Sequence, residues 1–200
     1  DVPVAAPSAN VSKHTSPVTA MHVYEDLQGK IPLILDGGKC SGGIESTVLD
    51  VTTDTPIILR SGLVTADMIK SVVGKCGYSQ NKPTDKIRAP GMKYRHYCPK
   101  CETALFRRDQ TELAQKLYDE LVSEGKRPYF MCDDAILTKI KGNVLRLGGS
   151  AEEIASNLYD KLHESEGLAD MIIAFEVETG SDVDVGIMNR LSKACKKYEN

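Results

Sequence analysis

Three segments in the first third of the chain carry side chains suited to holding phosphate or carboxylate. Pro7-Ser8-Ala9-Asn10-Val11-Ser12 sets small hydroxyl and amide groups on a turn ahead of a helix start expected at Ser16. Such groups reach phosphate oxygens without bulk, although they are also the ordinary residues of turns and caps. Asp36-Gly37-Gly38 and Gly42-Gly43 then run into Glu45-Ser46-Thr47-Val48, a glycine-rich loop entering a strand whose first residues bear hydroxyls. Glycines there would let the backbone approach a small ligand, or simply build a hairpin loop. Arg60 closes the apolar run Ile57-Ile58-Leu59 and precedes Ser61-Gly62. That places a permanent cation at a strand end, within reach of phosphate or carboxylate, with an exposed surface arginine as the alternative. Neither a Walker-type loop nor a G-x-G-x-x-G turn is present, so a nucleotide would need a less general cradle.

Cys98-Pro99-Lys100-Cys101 is the one close cysteine pair. A C-x-x-C can supply half a zinc site or a redox couple, but two further ligands at suitable spacing are missing, so free thiols are the expectation and no metal site is assigned. His14, His22 and His163 fall on turn or helix faces without ligand spacing and are assigned no function.

The elements that must position these groups follow from capping and periodicity. Thr15-Ser16-Pro17 followed by Met21, Tyr24 and Leu27 predicts a helix over 16–27. Strands are expected at 32–35, 46–51 and 57–59, and Thr65 caps a helix running to 73. Residues 74–100 are polar, hold three prolines and read as a linker whose length favours a function. Beyond it, strands at 103–106, 128–132, 143–147 and 171–176 alternate with helices at 111–124, 151–165 and 184–198. Such alternation predicts a small parallel α/β sheet. Ser150 and Glu153 have capping-box spacing before Ile154, Leu158 and Leu162, which marks the 151–165 helix best.

The 200 residues, 41% apolar, suffice for one large domain or two small ones. A net charge of −3 gives no basic field of the kind that many phosphate contacts require. No apolar run approaches the roughly 20 residues needed to cross a bilayer, and residues 1–7 lack a basic, apolar signal pattern. With six scattered cysteines, the chain reads as cytoplasmic, with reduced thiols. Its opening on a small-residue segment suited to a strand end suggests a fragment.

The Pro-Ser-Ala-Asn turn, the Ser46-Thr47-Val48 strand, the Arg60 strand and Ala89-Pro90-Gly91-Met92-Lys93-Tyr94-Arg95-His96-Tyr97, in this order, resemble the YrdC-like L-threonylcarbamoyladenylate synthase family in its long, two-domain form. The tail Gly186-Ile187-Met188-Asn189-Arg190-Leu191 is similar to the closing helix of that family's second domain. The resemblance implies an α/β architecture in three parts. Residues 1–76 would be the carboxyl-terminal part of a YrdC-like twisted mixed-sheet domain, 77–101 a linker and lid, and 102–200 a small Rossmann-like parallel α/β domain.

It further implies a reaction joining L-threonine, bicarbonate and ATP, with magnesium, into threonylcarbamoyl-adenylate and pyrophosphate. Transfer proteins would then carry the threonylcarbamoyl group to an adenosine of tRNA, with no direct tRNA binding and no membrane partner expected here. Carried over by motif, Ser8, Asn10, Ser16 and Arg60 would hold ATP, with Tyr94, His96 and Tyr97 folding over the nucleotide as a water-excluding strap. Ala6, Ser46 and Thr47 would hold threonine. Positioning and charge neutralisation would do the catalysis, so no single catalytic side chain is assigned. The family's lysine and arginine motif for ATP falls in an amino-terminal half that this sequence lacks, and the piece alone would then be inactive. The alternatives are a carbamoyl-adenylating module of the hydrogenase-maturation type, against which the second domain speaks, and a non-catalytic RNA-binding module built on Lys93, Arg95 and Lys100.

Overall fold

A computed structural model of the protein describes residues 2–12, 14–79 and 99–199. Its first helix, α1 (Ala20–Leu27), starts four residues later than the sequence suggests, capped by Thr19, whose hydroxyl accepts from the His22 amide at 3.3 Å. Tertiary partners take up the chain ahead of it. The Ser16 hydroxyl donates to Glu45, the Ser16 carbonyl faces His163 Nε2 at 3.2 Å, the Val18 amide faces His22 Nδ1, and the Val18 side chain is buried. A first helical turn at 16–19 would forfeit those contacts.

The strand expected at 32–35 does not form. Leu33 and Leu35 are exposed, and no strand among the described residues pairs with the segment, so its backbone has no ladder to join. Strand β1 (Val48–Asp50) is shorter than expected because its antiparallel register with β2 (Ile57–Arg60) opens at Val48↔Arg60 and is interrupted between Val48 and Leu49. Ser46 and Thr47 therefore precede the ladder. Helix α2 (Ala66–Val73) begins on Thr65 as the sequence indicates, and Gly74, at φ 78°, closes it with its amide on the Lys70 carbonyl. The short strand β3 (Gly77–Tyr78) runs parallel to β2 and completes a three-stranded sheet, an element the linker expectation did not contain.

The remaining residues build the expected parallel sheet. β4 (Glu102–Phe106), helix α3 (Thr111–Ser123), β5 (Pro128–Asp133), the one-turn helix α4 (Asp134–Leu137), β6 (Val144–Gly148), helix α5 (Ala151–Leu168), β7 (Met171–Phe175) and helix α6 (Val183–Ala194) follow in order. The strands lie in the order β4-β7-β5-β6, all parallel. Alternation along the strands serves two buried faces. Leu105, Met131, Ile172 and Ala174 face the core of α5 and α6, whereas Phe106, Phe130, Ile173 and Phe175 face the core that includes Ala114, Tyr118 and Leu121 of α3. Helix α4 is too short for periodicity to show; buried Asp133 makes it by accepting from the Ile136 amide at 3.0 Å and pairing with Arg108.

The Ser150 hydroxyl caps α5 at the Glu153 amide, and the Glu153 carboxylate reaches back to the Gly149 amide at 2.9 Å, one residue beyond the usual capping box. Ile154, Leu158 and Leu162 of α5 are fully buried. The same core takes in Val18, with Ile44 and Leu63 packed against it, so the amino-terminal segments sit on α5 and α6.

Candidate functional site

Between the glycine-rich loop and β1 and α2 lies a cleft of about 400 Å³, whose walls include Glu45, Ser46, Thr47, Leu63, Val64 and Ile69. Because Ser46 and Thr47 stand ahead of the β1 ladder, their polar groups are free of strand pairing. Thr47 Oγ1 donates to the Val64 carbonyl at 2.7 Å, tying the loop to the start of α2. Arg60, at the end of β2, turns its guanidinium back across the strand pair. Its Nε and Nη2 donate to the Ser46 carbonyl at 3.2 and 3.0 Å. Residues 14 apart in sequence thus share one place, and the cation is held on the backbone of the residue expected to meet threonine.

The other expected residues are placed as follows. Ala6 and Ser8 lie on an exposed stretch without regular structure. Asn10 spends its Nδ2 on the carbonyls of Val11 (2.9 Å) and His14 (3.2 Å), leaving its buried Oδ1 without a hydrogen-bond partner. With Nδ2 so committed, the unpaired group on Asn10 is an acceptor, which cannot bond an unprotonated phosphate oxygen. Ser16 is not a helix cap; its hydroxyl is committed to Glu45 Oε1 at 3.0 Å. Tyr94, His96, Tyr97 and Cys98 lie outside the described residues, as do Lys93 and Arg95.

Glu45 is the residue that sequence reasoning passed over. Its carboxylate receives the Tyr159 hydroxyl at 3.0 Å on both oxygens, Ser16 Oγ on one and Arg190 Nε at 2.9 Å on the other. Burial alone would push this carboxyl up, but the Arg190 charge and the converging hydrogen bonds outweigh it and hold it below the usual carboxylate range. Arg190 is fully buried. Nearby, burial and then the Arg190 charge push the Lys193 ammonium below its ordinary value, with Glu45 opposing the shift and Arg60 adding to it. The only advance signal of Glu45 was its place beside Ser46.

The glycines also have a cause other than the one expected. Gly43, at φ 63°, lies so close to α5 that a side chain there would meet the Ala155 carbonyl oxygen at 2.3 Å and Ser156 Cα at 2.4 Å. At Gly62 it would meet the Thr47 amide nitrogen at 2.4 Å. These glycines allow protein backbone to approach protein backbone; Gly37 and Gly38 have open space around them.

The three histidines left without a role converge. His22 stacks on His163 at 4.0 Å, and His14 meets the same ring edge-on at 5.6 Å. His14 also bridges Asp26 (2.7 Å) and Glu166 (2.6 Å), joining α1 to α5. Burial, and then the adjacent His163, push the His22 imidazole below its ordinary value; burial does the same to His163. Cys101 is a half-buried free thiol near Ser165 Oγ, and burial pushes its pKa up, which disfavours thiolate chemistry.

Among the described residues no three His, Cys, Asp or Glu gather in a way that could hold a metal ion, and the Glu45 carboxylate in the cleft is taken by Arg190, Tyr159 and Ser16. These residues do not fit a protein-ligated magnesium. No described helix is long and apolar enough to cross a membrane.

Comparison with known proteins adds the following. A family model described as threonylcarbamoyl-AMP synthase, C-terminal domain, matches residues 64–195, and one described as telomere recombination matches 1–62. The chain is 38% identical over 200 residues to a threonylcarbamoyl-AMP synthase of Pyrococcus abyssi, covering 96% of this chain and 57% of the relative. It is 36% identical to the Schizosaccharomyces pombe protein of that name, covering 98% and 52%, and 37% identical to that of Bacillus subtilis, covering 97% and 57%. A crystal structure of Pyrococcus abyssi Sua5 complexed with L-threonine superposes with a TM-score of 0.78 at 36% identity, over 96% of this chain and 59% of that one. The chain thus spans a little over half the length of these relatives.

Proposed function

This chain belongs to the threonylcarbamoyl-AMP synthase family, and from that premise we propose that it forms part of an ATP-using enzyme that makes L-threonylcarbamoyl-adenylate for N6-threonylcarbamoyladenosine modification of tRNA. In this reading the threonine amine takes up carbon dioxide as a carbamate, a carbamate oxygen attacks the α-phosphorus of ATP, and pyrophosphate leaves. The protein's contribution is to hold the two reactants in line and offset charge at phosphorus, for which fixed donors serve better than a nucleophile.

The observation that carries the reading is the cleft beside β1, where Ser46 and Thr47 form one wall and Arg60 lies against the Ser46 carbonyl. There Ser46 would take threonine or its carbamate, with Thr47 fixing the loop behind it and Ala6 giving a backbone contact. Arg60 would pair with phosphate, and Ser8 would donate to it. Asn10 would accept from a hydroxyl or amine of the nucleotide, and Ser16 would act through Glu45. Tyr94, His96 and Tyr97 would close over the nucleotide. The crystal structure of the Pyrococcus abyssi relative with L-threonine supports threonine as the amino acid. Magnesium would accompany ATP through phosphate oxygens and water.

We assign residues 1–76, extended by β3 at 77–78, to the carboxyl-terminal part of a YrdC-like catalytic domain, the rest of 77–101 to a linker and lid and 102–200 to a Rossmann-like α/β domain, in a cytoplasmic protein whose product passes to threonylcarbamoyl-transfer proteins. The deciding experiment gives the intact protein ATP, bicarbonate and a series of amino acids and measures pyrophosphate release. Threonine is expected to drive release well above serine and alanine; equal release with all three refutes the reading.

A further inference from the structure

The cleft lies in the amino-terminal part of the chain, yet the group that holds its two sides together comes from α6. The Arg190 guanidinium donates to Glu45 Oε2 at 2.9 Å, to the Glu45 carbonyl at 3.3 Å, to the Ser61 carbonyl and to the Gly186 carbonyl at 3.2 Å. Glu45 immediately precedes Ser46, and Ser61 immediately follows Arg60. One planar, fully buried cation therefore spans the approach to β1 and the exit from β2, the two places where Ser46 and Arg60 stand. From α5, the Tyr159 hydroxyl lies within 3.0 Å of both oxygens of the Glu45 carboxylate. Helix α6 packs directly on this loop, a Cβ at Gly186 lying in ordinary contact with the Gly62 carbonyl oxygen at 3.5 Å.

A buried ion pair is a poor device for stability alone, because the cost of desolvating both ions offsets much of their attraction and apolar side chains of the same volume hold a core as well. What a guanidinium supplies that apolar packing does not is direction: several donors in one plane fix the carbonyls they bind relative to one another. We infer that Arg190 and Glu45 are positioning residues for the substrate cleft, so that the carboxyl-terminal α/β half sets the spacing of the Ser46 and Arg60 backbones. This rests on the threonine-adenylating reading for its consequence, and on geometry alone for the placement of the two strands.

The test uses Arg190→Lys in the intact protein. It keeps the charge but cannot reach Glu45 Oε2, the Glu45 carbonyl and the Ser61 carbonyl together. Its comparison is Ile173→Ala, a cavity in the core on the other face of the parallel sheet. Arg190→Lys is expected to raise the threonine KM about tenfold to 100-fold, with a smaller effect on kcat, and to speed amide hydrogen exchange over 46–49 and 60–64. Ile173→Ala, although destabilised, is expected to leave the threonine KM and that exchange pattern as in the wild type. An unchanged KM in Arg190→Lys, or an equal rise in Ile173→Ala, overturns the inference. Should Arg190→Lys fail to fold, Glu45→Gln, which keeps an acceptor for Tyr159, decides by the same two readouts. Wild-type protein without threonine-dependent pyrophosphate release refutes the parent reading instead; the exchange comparison then still decides whether Arg190 sets the two strands.

Discussion

Replacing Gly43 by alanine separates two explanations of the glycine-rich loop. If the glycine admits a ligand, a methyl group costs the ligand-free protein only the left-handed backbone at φ 63°, about 1–2 kcal/mol. If it admits α5, the methyl also runs into main-chain atoms at 2.3–2.5 Å, about 1 Å inside ordinary contact, and neither backbone can rotate away as a side chain would. Overpacking of this type adds about 1–3 kcal/mol, for a total of about 2–5 kcal/mol. In a chain of this size that lowers Tm by roughly 4–20 °C. Gly38→Ala is the internal control: its φ is 86° with nothing within 4 Å, so the backbone term alone remains, about 2–8 °C. Both variants are melted without ligand, by circular dichroism and calorimetry. Equal losses in the two, with weakened ATP or threonine binding only in Gly43→Ala, would refute the claim that the loop is shaped by α5.

Tyr159→Phe removes the hydroxyl that both Glu45 oxygens accept and is expected to cost about 1.5–3 kcal/mol, read as a lower midpoint in urea. It should also make stability fall less steeply with acid than in the wild type, because losing this hydrogen bond reduces the depression of the Glu45 carboxyl. The folded Glu45 carboxyl is held below its unfolded value, so its contribution is present above the unfolded pKa of about 4.3 and is lost as pH falls through the folded one. A variant with unchanged acid unfolding would contradict this. His22 and His163 are both shifted down by burial; their contribution is complete above the unfolded value of about 6.5 and is lost as pH falls through their folded values. Tm should therefore decline between pH 8 and 5.5, less steeply in His22→Asn, and equal slopes would dismiss the imidazole stack as the cause. Arg60→Ala should weaken ATP binding at least about tenfold, the effect of one lost charge-assisted phosphate contact, with little change in Tm. A large melting loss with intact affinity would make Arg60 structural.

Most elements were legible in the sequence because near neighbours specify them. Ser150 and the four-residue repeat of Ile154, Leu158 and Leu162 set α5, Thr65 set the start of α2, and the apolar run 171–175 set β7, all through interactions a few residues apart. The motif residues Ser46 and Arg60 were legible as types, and their nearness follows from one antiparallel pairing. Two of the failures share one cause. Segment 32–35 has strand composition but no partner strand among the described residues, and residues 16–19 have helix-start composition but give their polar groups to His163, Glu45 and His22.

Residue types and local spacing thus decided which elements exist and which family the chain resembles. Only tertiary structure decided that Glu45 meets Arg190 across 145 residues, that His14 meets Glu166 across 152, and that Gly43 lies on α5. The reason is physical. Periodicity and capping report free energies between groups held at fixed separation along the backbone, whereas a buried guanidinium meets its carbonyls only where two layers pack together, and no spacing within either layer encodes where the other will land.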